Sequence, residues 1–157
     1  MTRGAAAGDG DDAGVAVWAT FLRTHAAVVR RLERELADER GLALSWYDVL
    51  LELNAAPRRR LRMRELAERV VLSRTRVSRV VDEMVRDGLV TRQPDSVDRR
   101  ATFAVITRAG RAALRAAAPV YLRGIREHFT SHLSDRELRV LGRSLAKVLG
   151  AQRDTEG

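Results

Sequence analysis

The chain has 157 residues, enough for one compact domain or for one domain with helical extensions. It contains no cysteine, which excludes disulfides, thiolate metal sites and thiol-based redox sensing. Its 29 basic residues outnumber 21 acidic ones for a formal charge of +8, and all the basic residues but one are arginine. Between Arg58 and Arg100, thirteen arginines against seven acids leave +6, so most of the surplus sits where a polyanion would find it concentrated.

Residues 1–14 are small, acidic and without periodicity, and are expected to form a disordered tail. They lack the apolar core of a signal peptide, and no apolar run approaches membrane-spanning length, so a cytoplasmic protein is expected.

Residues 15–57 read as N-terminal helices. In a long helix from Val15 to Arg40, Trp18, Leu22, Val29, Leu32 and Leu36 keep a four-three spacing, with His25 in the one gap. A seam of that period packs along another helix over several turns. Gly41 is placed to end the helix. Ser45 followed by Asp48 reads as a capping box for the next helix. Trp46, Val49, Leu50 and Leu53 supply its buried face, and Asn54–Pro57 stops it.

Residues 58–106 read as a winged DNA-binding region around which the chain is organised. After a basic link, Arg58–Arg60, Leu61 can serve as a one-rung strand. Met63–Val70 and Ser73–Asp87 are two amphipathic helices separated only by Val71 and Leu72, so they must cross. Val77, Val80, Val81 and Met84 share one side of the second helix. A hundred-degree step per residue puts Thr75, Arg79, Asp82 and Arg86 on the opposite side, flanked by Arg76 and Ser78. Ser73 can cap the first turn, leaving a helix N-terminus suited to a phosphate. Arginine can hold guanine O6 and N7 bidentately, and serine or threonine can meet a base edge or a phosphate. The base-reading candidates are Thr75, Arg76 and Arg79, with Arg74 and Ser78 nearer the backbone, and the capping Ser73 completes the DNA-binding set.

Leu89–Arg92 and Ala101–Ile106 then read as a hairpin, sealed to the helices by Phe103, Val105 and Leu89. Its tip carries Arg99 and Arg100, which can enter a narrow minor groove. Asp98 suits an orienting role, on Arg99 or Arg100 or by pairing with a helix arginine such as Arg79.

Residues 107–150 read as C-terminal helices, followed by a tail at 151–157. Thr107 to Gly110 begins a helix that runs to about Phe129, and Pro119 should bend it or end its first half. Ser134 with Glu137 is a capping box for a last helix seamed by Leu138, Leu141, Leu145 and Val148. The two terminal helical regions carry more apolar stripe than a small domain needs, which a symmetric dimer would explain. The fold class is therefore mainly α with a small β-hairpin wing: a winged helix-turn-helix with long N- and C-terminal dimerisation helices.

The order of elements, the Asp98-Arg99-Arg100 wing, the Gly88-Leu89-Val90 helix exit and the Thr107-x-x-Gly110 start together resemble the MarR family of bacterial regulators over about Val15 to Leu149. The resemblance implies a homodimeric repressor, less often an activator, on a pseudo-palindromic site in double-stranded DNA. It also implies a small aromatic or phenolic ligand that releases the DNA. Trp18 and Trp46-Tyr47-Asp48 resemble a urate-responsive subset, although one extra residue stands between Trp46 and Asp48. Trp18, His25, Trp46 and Asp48 are the candidate pocket residues; a core position for both tryptophans and a capping role for Asp48 are the plainer reading. His128 and His132 lie four apart, but no cysteine and only one further histidine could complete a tetrahedral metal site, so no metal and no cofactor are expected.

An enzyme is not expected: the sequence has no Gly-rich phosphate loop and no nucleophile with a histidine at a recognisable spacing. The alternative is a non-specific nucleic-acid-binding or architectural basic protein. The scarcity of aromatics in the basic stretch speaks against RNA recognition by stacking.

Overall fold

A computed structural model describes residues 9–70, 72 and 74–155. The element order is α1 (Asp9–Arg40), α2 (Leu44–Ala55), β1 (Arg60–Arg62), α3 (Met63–Arg69), α4 (Arg74–Arg86), β2 (Val90–Pro94), β3 (Thr102–Ile106), α5 (Arg108–His128) and α6 (Asp135–Thr155). Short 3-10 turns at Pro57–Arg59 and Thr130–His132 complete it. No helix among the described residues is long and apolar enough to cross a membrane.

The chain divides into two compact units, Glu33–Leu122 and the described parts of the two ends, residues 9–32 with 123–155. The central unit has a continuous core. Leu36, Leu50, Leu53, Leu66, Val81 and Met84 are fully buried in it, so α1, α2, α3 and α4 each commit a face. A three-stranded antiparallel sheet in the order β1-β3-β2 closes this unit. Leu61 pairs with Ala104, and Pro94 with Thr102 at the far end of the hairpin.

Several local expectations change. Helix α1 starts at Asp9, so Asp9–Gly14 is helical rather than part of a disordered tail. The acidic run read as a sign of disorder also suits the positive end of a helix dipole. Residues 1–8 lie outside the described part. Helix α2 is capped at Ala43 without a side-chain bond, so Ser45 and Asp48 do not form a capping box. Both already stand inside the helix, where the N-terminal N–H groups are out of Ser45's reach. The α2–β1 link is more constrained than a solvated basic run, because Arg58 and Arg59 both hold positive φ, at 55° and 56°.

The hairpin faces are also reversed from expectation. Ala104 and Ile106 are buried with Val90, whereas Phe103 and Val105 are half-buried on the other side. Since side chains alternate along a strand, a one-residue error in phase moves the whole set across the sheet. Arg60 and Arg62 straddle the displaced Phe103, their guanidinium carbons 4.4 and 5.7 Å from its ring centre. That stacking covers a ring that the core does not take.

Helix α5 runs unbroken through Pro119. The ring leaves the Arg115 carbonyl without its helical donor, and both residues are exposed, so water can take that place. The start of α5 is held tightly. The Thr107 hydroxyl donates to the Gly88 carbonyl at 2.7 Å and accepts the Gly110 N–H at 3.0 Å. Gly110 is a packing requirement, because a Cβ there would overlap the Leu89 carbonyl oxygen.

The unit formed by the two ends is built differently. Ser134 and Glu137 make the expected reciprocal cap of α6, with the Ser134 N–H donating to Glu137 Oε2 at 2.8 Å. Leu32 is buried, but much of the predicted seam is open: Trp18 is 59% exposed, Leu22 45% and Val148 60%. Trp18 is therefore not a core residue of the single chain. It stacks on Phe21 at 5.7 Å.

Candidate DNA-binding surface

Helix α4 is anchored by the four residues expected to anchor it. Val77, Val81 and Met84 are fully buried and Val80 nearly so. The geometry of a helix then fixes the rest: Thr75, Arg76, Arg79, Asp82 and Arg86 are exposed, and Ser78 is half-buried at the boundary. Ser73 and the Arg74 side chain lie outside the described part.

Two polar contacts tie this helix to the hairpin. The Arg92 guanidinium on β2 donates to Asp82 Oδ1 through Nε at 3.1 Å and through Nη2 at 2.9 Å. The same Nη2 reaches the Ser78 hydroxyl oxygen at 3.3 Å. Asp82 thereby pairs with Arg92 and ties α4 to β2, while the Ser78 hydroxyl accepts and keeps its own proton to donate.

The wing tip is a closed turn. The Asp95 N–H donates to the Ala101 carbonyl, and the Ala101 N–H to the Asp98 carbonyl. Asp98 Oδ1 accepts the Arg100 N–H at 3.0 Å, so this carboxylate holds the backbone of the following arginine. No ion pair between Asp98 and Arg79 is found among the described residues, and the acid facing an arginine across the helix–wing junction is Asp82. Arg99 and Arg100 are exposed, as is Val97, at 88%.

Beneath the tip, Asp95 is buried and accepts from the Val97 N–H at 2.9 Å and from Arg62 Nη2 at 2.6 Å. The Val97 N–H, with help from Arg62, holds its carboxyl below the usual carboxylate range, against the opposing effect of burial. Between α3, α4 and the wing lies a groove of about 500 Å³ whose lining includes Arg62, Arg64, Arg92 and Arg100.

Sequence reasoning missed Arg62, Arg92 and Asp95. The only available signal was alternation: Arg60 and Arg62 sit two apart on one strand and must share a face. Nothing local announced Asp95 as a buried acid, because its partner is 33 residues away.

The pocket candidates fall in both units. Trp46 and Asp48 belong to the central unit, where Trp46 packs against the core. Burial, followed by repulsion from Glu52 one turn on, pushes the Asp48 carboxyl up to about 6. Close by, Tyr47 and Tyr121 pack with ring centres 4.5 Å apart. In the unit formed by the ends, α1, α6 and the turn between α5 and α6 bound an apolar cavity of about 620 Å³. His25 lines it with Phe21, Val29, Phe129, Leu133 and Leu145, and is the only titratable residue in its lining. Trp18 does not line it. His128 closes α5 and His132 follows in the 3-10 turn; both line a smaller recess with Arg31.

A model of the MarR family matches residues 40–101, from the end of α1 to the end of the wing loop. Over a longer span, the chain is 30% identical to Sco3205, a MarR family transcriptional regulator from Streptomyces coelicolor solved in complex with DNA. That match covers 87% of this chain and 88% of the other, with a TM-score of 0.81. The chain belongs to the MarR family of transcriptional regulators.

A second member from Streptomyces coelicolor, AbsC, is 29% identical over 98% of this chain and 99% of its own, with a TM-score of 0.83. The fold is shared with an E. coli MarR variant complexed with operator DNA, at 21% identity, 86% and 94% coverage and a TM-score of 0.76. No curated sequence matches significantly. The winged helix-turn-helix of the MarR family thus accounts for α2 through β3, and the family fold extends over both terminal helical regions.

Proposed function

We propose that this MarR-family regulator is a cytoplasmic homodimeric repressor that reads a pseudo-palindromic DNA site. The observation that carries the reading is the orientation of α4. Its apolar side is spent on the core, and Thr75, Arg76 and Arg79 are left exposed beside a wing that presents Arg99 and Arg100. Thr75, Arg76 and Arg79 read base edges in the major groove, Ser73, Arg74 and Ser78 meet the backbone, and the wing arginines follow the adjacent minor groove. The DNA-bound state of Sco3205 supports the same use of the fold.

The dimer rests on the open seams. Trp18, Phe21 and Leu22 on α1 and Leu145, Val148 and Leu149 on α6 leave apolar surface that a second copy would cover. Two half-sites about 34 Å apart would then be read together. A small aromatic or phenolic acid is the proposed effector. The cavity beside His25 supplies apolar walls for a ring, and His25 supplies a polar group for the acid.

The test is a gel shift with the chain's own upstream DNA against scrambled DNA of equal length. The expected result is selective binding, with Arg79→Ala losing roughly 1–3 kcal/mol of specific affinity at an unchanged melting temperature. Equal binding to both DNAs would instead make the protein a non-specific or architectural binder.

A further inference from the structure

We infer that the ion pair between Arg62 and Asp95 is the latch that sets where the wing places its arginines on DNA. The inference rests on the DNA-binding reading above and assigns positioning roles to two residues outside the reading surface. Asp95 is 5% exposed in a seven-residue hairpin loop whose other residues, but for Ala101, are exposed. An acid is buried in such a loop only when its oxygens are occupied, and here they are. One takes the Val97 N–H inside the turn, and the other takes Arg62 Nη2 at 2.6 Å. The first bond shapes the tip and the second fastens it to another element.

Arg62 is suited to that second task because it is itself fixed at three points. Its backbone belongs to β1, paired with Phe103 of β3. Its N–H donates to Glu65 Oε2 at 3.0 Å, at the N-terminus of α3. Its guanidinium also lies over the Phe103 ring. The loop that carries Arg99 and Arg100 is thereby referenced to α3, the first helix of the helix-turn-helix. The Arg92–Asp82 pair separately references β2 to α4. With two such ties, the wing is a fixed arm. Cutting the tie at Asp95 leaves the hairpin paired but frees its tip, so that Arg99 and Arg100 no longer reach the same phosphates or groove.

Asp95→Ala, Arg62→Ala and Arg99→Ala/Arg100→Ala are compared, and Asp95→Ala is also combined with the tip pair. Binding to the upstream DNA is measured from 50 to 200 mM salt, alongside melting temperatures. Removing two DNA-directed arginines from each protomer, four in the proposed dimer, should make binding about a hundredfold less salt-sensitive over that range. Asp95→Ala and Arg62→Ala should reproduce much of that change in slope. In the tip-deficient background, Asp95→Ala should cost nothing further. Asp95→Asn, which keeps an acceptor for the Val97 N–H, should fall between Asp95→Ala and the parent.

A latch variant that lowers the melting temperature but keeps the parent's salt slope would overturn the positioning role. So would losses that add fully in the combined variant. If Asp95→Ala fails to fold, Arg62→Ala decides, since Arg62 is half exposed. An intact protein that prefers none of the DNA would instead refute the DNA-binding reading itself, which the latch variants cannot mimic.

Discussion

The central unit and the unit formed by the chain ends solve the same problem in opposite ways. In residues 33–122, parts of five helices and a small sheet turn their apolar faces inward, and Leu50, Leu53, Leu66 and Val77 reach full burial within one chain. In the ends, seams of equal regularity remain open, with Trp18 and Val148 more exposed than buried. The central unit is complete as a fold, whereas the ends carry unspent apolar surface. Stability should therefore be encoded mainly in the first and assembly in the second.

Substitutions should separate the two. Leu53→Ala in the central core should cost about 2–5 kcal/mol, read from the urea midpoint. A loss below 1 kcal/mol would mean that this core is not what holds the chain together. Gly110→Ala should cost about 1–3 kcal/mol, because the added methyl meets a backbone carbonyl that cannot rotate away. Normal stability in that variant would show that α5 can shift.

Asp48 tests the central unit from the other direction. Its carboxyl is raised to about 6 from an unfolded value of 3.8, so the folded state holds the proton more tightly between those limits. Stability attached to the neutral acid is complete below pH 3.8 and is lost as the pH rises through about 6. Asp48→Asn should then stabilise the protein at pH 7 by about 1–2 kcal/mol, after discounting for solvent at a partly exposed group, and should give no gain near pH 3.5. A uniform gain at both pH values would place the cause outside the titration.

The smallest effect on folding should come from the ends. Leu145→Glu with Val148→Glu should change the stability of the central unit by less than about 0.5 kcal/mol, because both side chains are already exposed. The same pair should convert a dimer to a monomer in sedimentation. A dimer that persists would remove α6 from the interface.

Much of the proposed reading surface was legible because helical periodicity is local. The anchors Val77, Val81 and Met84 fix the azimuth of α4 and so expose Thr75, Arg76 and Arg79 without reference to the rest of the chain. The hairpin faces were misjudged because an alternating strand gives two phases, and only the core decides between them. Phe103 is larger and more apolar than Ala104, yet the space beneath β3 admits the alanine. The ring is covered instead by two arginines from a strand some forty residues earlier.

By itself, then, the sequence determined the order of elements, the exposed face of α4 and the Ser134–Glu137 cap, since each depends on residues within about a turn or two of one another. Only the tertiary structure decided which acid lies buried in the wing, which arginine holds it and which face of the hairpin meets the core. Those outcomes depend on pairings across tens of residues, where burial and hydrogen-bond satisfaction, rather than local propensity, select the partner. The open seams on α1 and α6 mark the same boundary: periodicity announced an apolar stripe, and only the folded chain showed it left uncovered.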